Sequence, residues 1–165
     1  MMATENVEEK PGGNELPRGE YFEEVEVGRV RLSRARTITE ADIIQFGSLT
    51  GDFNPLHFDA EFTRETMFGQ RIAHGMLVAS YAIGMLTQLG HLERTVLAFR
   101  ALELKFSAPV FIGDTIRVEM RVLEKKPARR MSGGWVTSEI KIRKQDGTVV
   151  QSGVMTVLIA SGEGT

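Results

Sequence analysis

The chain has 165 residues, a formal net charge of −2 and no cysteine. That length leaves room for one well-buried core, and 25% charged with 42% hydrophobic residues is the balance of a soluble globular domain. The missing cysteines exclude disulfide staples, thiolate metal sites and cysteine nucleophiles and fit a reducing compartment, while the small charge gives no general pull towards nucleic acid or an anionic membrane.

Residues 1–20 hold five glutamates, two prolines and three glycines but almost no large apolar side chains. They lack the basic start and apolar stretch of a secretory signal, and are expected to form a disordered N-terminal tail ahead of one domain over residues 21–162. The most apolar run, residues 75–86, is interrupted by Ser80 and Tyr81. A bilayer span needs about 20 apolar residues, so the run predicts a buried helix in a cytoplasmic protein.

Residues 25–35 read as a first strand. Thr39 then caps a helix, with Asp42 completing a capping-box pattern. Ile43, Phe46 and Leu49 share one face of it, and Gly51 ends it. A loop over residues 52–58 follows, and then a short helical turn that Asp59 could cap. Residues 75–89 are apolar nearly all round, as in a helix enclosed by other structure.

Beyond Gly90 the period changes. Leu102, Leu104 and Phe106 alternate with polar residues, as do Ile116, Val118, Met120 and Val122, and then Val136, Ser138, Ile140 and Ile142. Each set predicts a strand with one face inward. Gly113-Asp114 and Asp146-Gly147 fall where hairpins are wanted, the second with a type I′ pattern. Residues 148–160 are apolar on both faces, as a covered central strand would be. Helices followed by hairpin-linked strands indicate an α+β fold with an antiparallel sheet packed on one buried helix. One such helix wrapped by a long curved sheet is the hot-dog arrangement, though composition does not separate it from other α+β folds.

Two segments carry chemistry. In Gly51-Asp52-Phe53-Asn54-Pro55-Leu56-His57, a carboxylate, an amide and an imidazole follow directly on a helix end. Pro55 stiffens the segment, so Asp52 and His57 could hold one water between them, and an imidazole exchanges protons near neutral pH. A plain structural turn is equally compatible with these residue types. A calcium loop is not, because Leu56 stands where a ligand is needed. A transition metal would find a third ligand only among distant residues, so no metal is expected. In Arg71-Ile72-Ala73-His74-Gly75-Met76-Leu77, the buried helix begins at Gly75, whose N–H is open to a substrate carbonyl. Glycine could equally serve only to ease helix entry. His74 is a candidate for substrate binding, against the plainer readings of an N-cap contact or a core histidine. His91 is expected to meet the negative end of the helix dipole. Lys125, Lys126, Arg129 and Arg130 form a basic cluster that could meet phosphate groups or simply face solvent.

Gly51-Asp52-x-Asn54-Pro55-Leu56-His57 closely resembles the hydratase 2 motif of (R)-specific enoyl-CoA hydratases and MaoC-like dehydratases. Ala73-His74-Gly75-Met76-Leu77 resembles the start of that family's central helix, and Phe106-Ser107-Ala108-Pro109-Val110 with Gly113-Asp114 resembles a later strand-turn. The resemblance covers roughly residues 20–160. It implies a hot-dog fold acting without metal or organic cofactor on acyl-CoA or acyl-carrier-protein thioesters. It implies Asp52 and His57 as the acid/base pair, the Gly75 N–H as oxyanion donor and Asn54 as an aid in placing the water. The product would be the (3R)-hydroxyacyl thioester. A serine that some members carry in the central helix falls here on Ile83. A hot-dog thioesterase and a non-catalytic acyl-thioester-binding module remain as alternatives. A homodimer or larger homo-oligomer is expected, because a lone hot-dog sheet leaves one face uncovered.

Overall fold

The computed structural model describes residues 17–162, so most of the expected tail lies outside the described residues. Its last part is already held. The Gly19 N–H donates to the Glu93 carbonyl at 2.7 Å and the Glu20 N–H to that of His91 at 2.9 Å. A single 3-10 turn follows at Phe22–Glu24.

The strand expected over residues 25–35 is two short ones, β1 (Val30–Leu32) and β2 (Arg36–Thr37). Gly28, at φ 89°, makes a turn ahead of β1. Ser33 then breaks the ladder by offering its own hydroxyl to the Val118 N–H at 2.9 Å. Helix α1 (Glu40–Thr50) starts as expected. Thr39 Oγ1 accepts from the Asp42 N–H, and the Asp42 carboxylate accepts from the Thr39 N–H at 2.7 Å. Of its expected apolar face, Ile43 is fully buried, but Leu49 is exposed. Two short helices, α2 (Pro55–Phe58) and α3 (Ala60–Arg64), precede α4 (Gly75–Thr87).

Four long strands follow: β3 (Val96–Phe106), β4 (Thr115–Pro127), β5 (Gly133–Lys144) and β6 (Val149–Ala160). All pairings are antiparallel, in the order β1-β4-β5-β6-β3, with β2 also on β4. Thus β4–β5 and β5–β6 are hairpins, but Gly113-Asp114 does not close one. The strand before it, β3, pairs across the sheet with β6. The Asp146-Gly147 turn is not type I′ either. Only Gly147 has positive φ (87°), and the Gly147 N–H reaches back to the Lys144 carbonyl at 3.0 Å. That is a type I turn followed by a left-handed glycine.

The core lies between α4 and one sheet face. Leu77, Val78, Ala82, Met85 and Leu86 meet Ile116, Val118 and Met120 of β4, Ile140 and Ile142 of β5, and Val150 and Met155 of β6. Each of the Leu, Ile, Val and Met side chains contributes about 1.5–3 kcal/mol when fully buried. One helix against a long antiparallel sheet is the α+β hot-dog fold. Two expectations about enclosure need correcting. Met76, Ser80 and Gly84 leave an exposed stripe along α4, and β6 is buried at consecutive positions only at Val150 and Gln151 and from Val157 to Ile159, with Val154 exposed.

Candidate active site

Gly51 ends α1 in the left-handed conformation (φ 78°), its N–H returning to the Gly47 carbonyl at 2.8 Å. The chain reverses there and presents Asp52 to solvent, where its Oδ1 accepts from the Asn54 N–H at 3.3 Å. Asn54 Oδ1 accepts from the Leu56 N–H at 3.0 Å, so Asn54 is the N-cap of α2. Pro55 holds the first helical position, where its missing N–H costs nothing. The expected loop over residues 52–58 is therefore helical from Pro55, and His57 sits on a rigid turn.

His57 is buried, with Nδ1 2.8 Å from the Ile72 carbonyl. A carbonyl only accepts, so Nδ1 carries the proton and Nε2 keeps its lone pair. His74, 2% exposed, occupies the N-cap position of α4 without a side-chain cap bond. Its Nε2–H instead donates to the Asp52 carbonyl at 2.9 Å, and its Nδ1 is buried without a partner. The ring lies over His57 and is flanked by Phe46 and Phe58.

Burial pulls the His57 pKa below the ordinary imidazole value, and His74 adds to this, while the Ile72 carbonyl and Asp52 oppose it. His57 is therefore neutral at pH 7 and able to accept a proton. Ligand atoms of Asp52, His57 and His74 lie within 4.8 Å of one another, so a third potential metal ligand is near rather than distant. Each imidazole, however, already spends one nitrogen on a backbone carbonyl, His57 on Ile72 and His74 on Asp52, and the rings lie against one another at 31°. A bridging water suits this set better.

Gly75 is the first residue of α4, so its N–H has no intrahelical partner. Gly75 lines a cavity of about 370 Å³ whose other lining residues are mostly apolar, among them Ile72, Ala73, Val78 and Phe106. Ile72 is thus both the anchor of His57 and part of the cavity wall. A Cβ at Gly75 would lie 2.7 Å from the Phe106 ring, so a larger residue here would have to push that ring aside. The sequence reading missed Gln151, a cavity-lining residue of β6 whose Nε2 donates to the Gly75 carbonyl at 2.8 Å. Its only signal was a polar residue inside an apolar run.

Other expectations fare differently. His91 does not meet a helix dipole as a cation: both ring nitrogens are buried without partners, and burial beside Arg31 lowers its pKa to about 4. In the basic cluster, Lys125 donates to the carbonyls of Phe22 and Glu23, and Lys126 pairs with Glu124. Ile83 is partly buried against the core and brings no hydroxyl to the site.

Protein MaoC of Klebsiella aerogenes is 41% identical over 105 residues, 63% of this chain but only 31% of that protein. The chain thus spans about a third of that relative. The (R)-specific enoyl-CoA hydratase of Rhodospirillum rubrum is 34% identical over 139 residues, 84% of this chain and 91% of the relative. Among solved structures, the unliganded R-hydratase PhaJ1 from Pseudomonas aeruginosa superposes with a TM-score of 0.74 at 30% identity, covering 86% of each chain. Residues 23–142 match the model of the MaoC-like domain. The chain belongs to the MaoC-like domain family.

Proposed function

We propose that the chain interconverts trans-2-enoyl thioesters and (3R)-hydroxyacyl thioesters by adding or removing water. The observation that carries this reading is the pairing of an exposed Asp52 carboxylate with a neutral His57 whose Nε2 lone pair is free. Two acceptors can take both hydrogens of one water. As the water oxygen bonds to C3 and keeps one hydrogen, the pair takes the other as a proton and passes it to C2 from the same face. The Gly75 N–H, at the positive end of α4, receives the charge that grows on the thioester oxygen. Asn54 supports the site as cap of the turn that carries His57. His74 is assigned to holding the Asp52 backbone beside the substrate.

Names among the relatives support an acyl-CoA or acyl-carrier-protein thioester as substrate. We take residues 21–162 as one catalytic unit that works as a homodimer. The exposed Val96, Leu97 and Phe99 on the edge strand β3 give such a dimer apolar surface to bury. No described helix is long and apolar enough to cross a membrane. A cytoplasmic setting fits the cysteine-free sequence.

The test is incubation with crotonyl-CoA. The reading expects loss of the conjugated enoyl absorbance without release of thiol. Thiol release would instead identify a thioesterase, and binding without either change a non-catalytic module.

A further inference from the structure

Gln151 is 2% exposed and sits on β6 between β5 and β3, yet its amide meets few partners. One bond is secure, from Nε2 to the Gly75 carbonyl at 2.8 Å. That carbonyl can only accept, so the atom facing it must be the amide nitrogen, and the flipped amide is excluded. The oxygen is then left over. Gln151 Oε1 is buried with no hydrogen-bond partner, although buried polar atoms are nearly always satisfied.

The surroundings narrow what could satisfy it. Ser107 is the one other polar side chain among the lining residues of the 370 Å³ cavity, whose wall is otherwise formed by apolar side chains such as Met67, Phe68, Ile72, Val78 and Val110. Phe106 is the cross-strand partner of Gln151, so both side chains stand on one face of the sheet. Phe106 is 56% exposed and Met67 92%, which leaves both free to turn aside as a ligand enters.

We propose that Gln151 determines the specificity of this cavity, selecting acyl groups that carry a hydrogen-bond donor, such as a hydroxyl, beyond C3. The proposal rests on the cavity being the acyl site of the reaction proposed above. A donor that reaches Oε1 completes the amide. A plain alkyl chain covers it and leaves the acceptor unpaired, and sites of this kind discriminate against the analogue that lacks the polar group.

Saturated acyl-CoAs test this without turnover, so the result stands apart from whether the protein hydrates crotonyl-CoA. The Kd values of hexanoyl-CoA, 5-hydroxyhexanoyl-CoA and 6-hydroxyhexanoyl-CoA would be measured by calorimetry. The expected result is about tenfold tighter binding of at least one hydroxylated ligand. In Gln151→Met, with the melting temperature recorded alongside, that preference should vanish. Should that variant fail to fold, Gln151→Asn makes the same comparison with an amide one carbon too short. A wild-type protein that binds hexanoyl-CoA at least as tightly as both hydroxylated ligands would overturn the proposal, since a water would then suffice for Oε1. So would a preference that survives the substitution.

Discussion

The imidazoles of His57 and His74 lie one over the other, with ring centroids 3.7 Å apart. Each donates its one N–H to a backbone carbonyl, His57 to Ile72 and His74 to Asp52. A proton on His57 is therefore opposed by its stacked neighbour as well as by burial. His74→Phe keeps a ring in place but removes that opposition and the tether on Asp52. The His57 midpoint, followed by NMR, should lie below 6.5 in the wild type and rise in the variant. Turnover should fall about tenfold through the lost tether. An unchanged midpoint would show that the stack has no electrostatic weight.

Asp52→Asn and His57→Gln should each lower turnover by at least about a hundredfold while circular dichroism and melting temperature stay near wild type. If both groups act on one water, the double variant should lose far less than the product of the two single effects. Steady-state kinetics on the three variants decides between shared and independent action.

The oxyanion assignment turns on Gly75 and Phe106 together. Proline at a first helical position deletes the N–H without breaking a helical bond. Any Cβ there, though, meets the Phe106 ring. The comparison therefore belongs in a Phe106→Ala background. There Gly75→Ala should retain most activity, and Gly75→Pro should lose about two to three decades of kcat. Equal loss in both would mean that Gly75 serves close approach only.

His91 makes stability depend on pH. Its pKa is about 4 when folded and ordinary, near 6.5, when unfolded. Between those values the unfolded chain binds a proton that the folded chain refuses, so stability must fall as pH drops from about 6.5 to about 4. Urea midpoints measured across that range should show the slope, and His91→Leu should flatten it. Arg31, whose charge opposes a proton on His91, pairs with Glu20 and leaves the sign unchanged.

What the sequence made legible was local. The Thr39/Asp42 capping box, the start of α4 at Gly75 and the alternation of β4 and β5 each depend on neighbours a few residues apart. The Asp52 and His57 segment was readable because one short stretch holds both residues. The place of β3 beside β6 was not, since pairing partners are chosen by the whole sheet. Nor was the approach of His74 to Asp52, which depends on how α4 docks against the end of α1. Gln151 stayed hidden because an alternation pattern records which face a residue takes and not the carbonyl it meets there.

The register of β3 has a consequence for solubility. Pairing with β6 slips between Val96 and Ala98 and again between Phe99 and Ala101, and only from Ala101 to Phe106 is it regular. Bulges bend a strand and sharpen its twist, so the apolar first half of this edge is a poor flat template for another chain. The regular half carries Glu103 and Lys105, charges that a growing stack of identical strands would have to align. The edge can thus accept one matched neighbour while resisting the open-ended addition that ends in fibres.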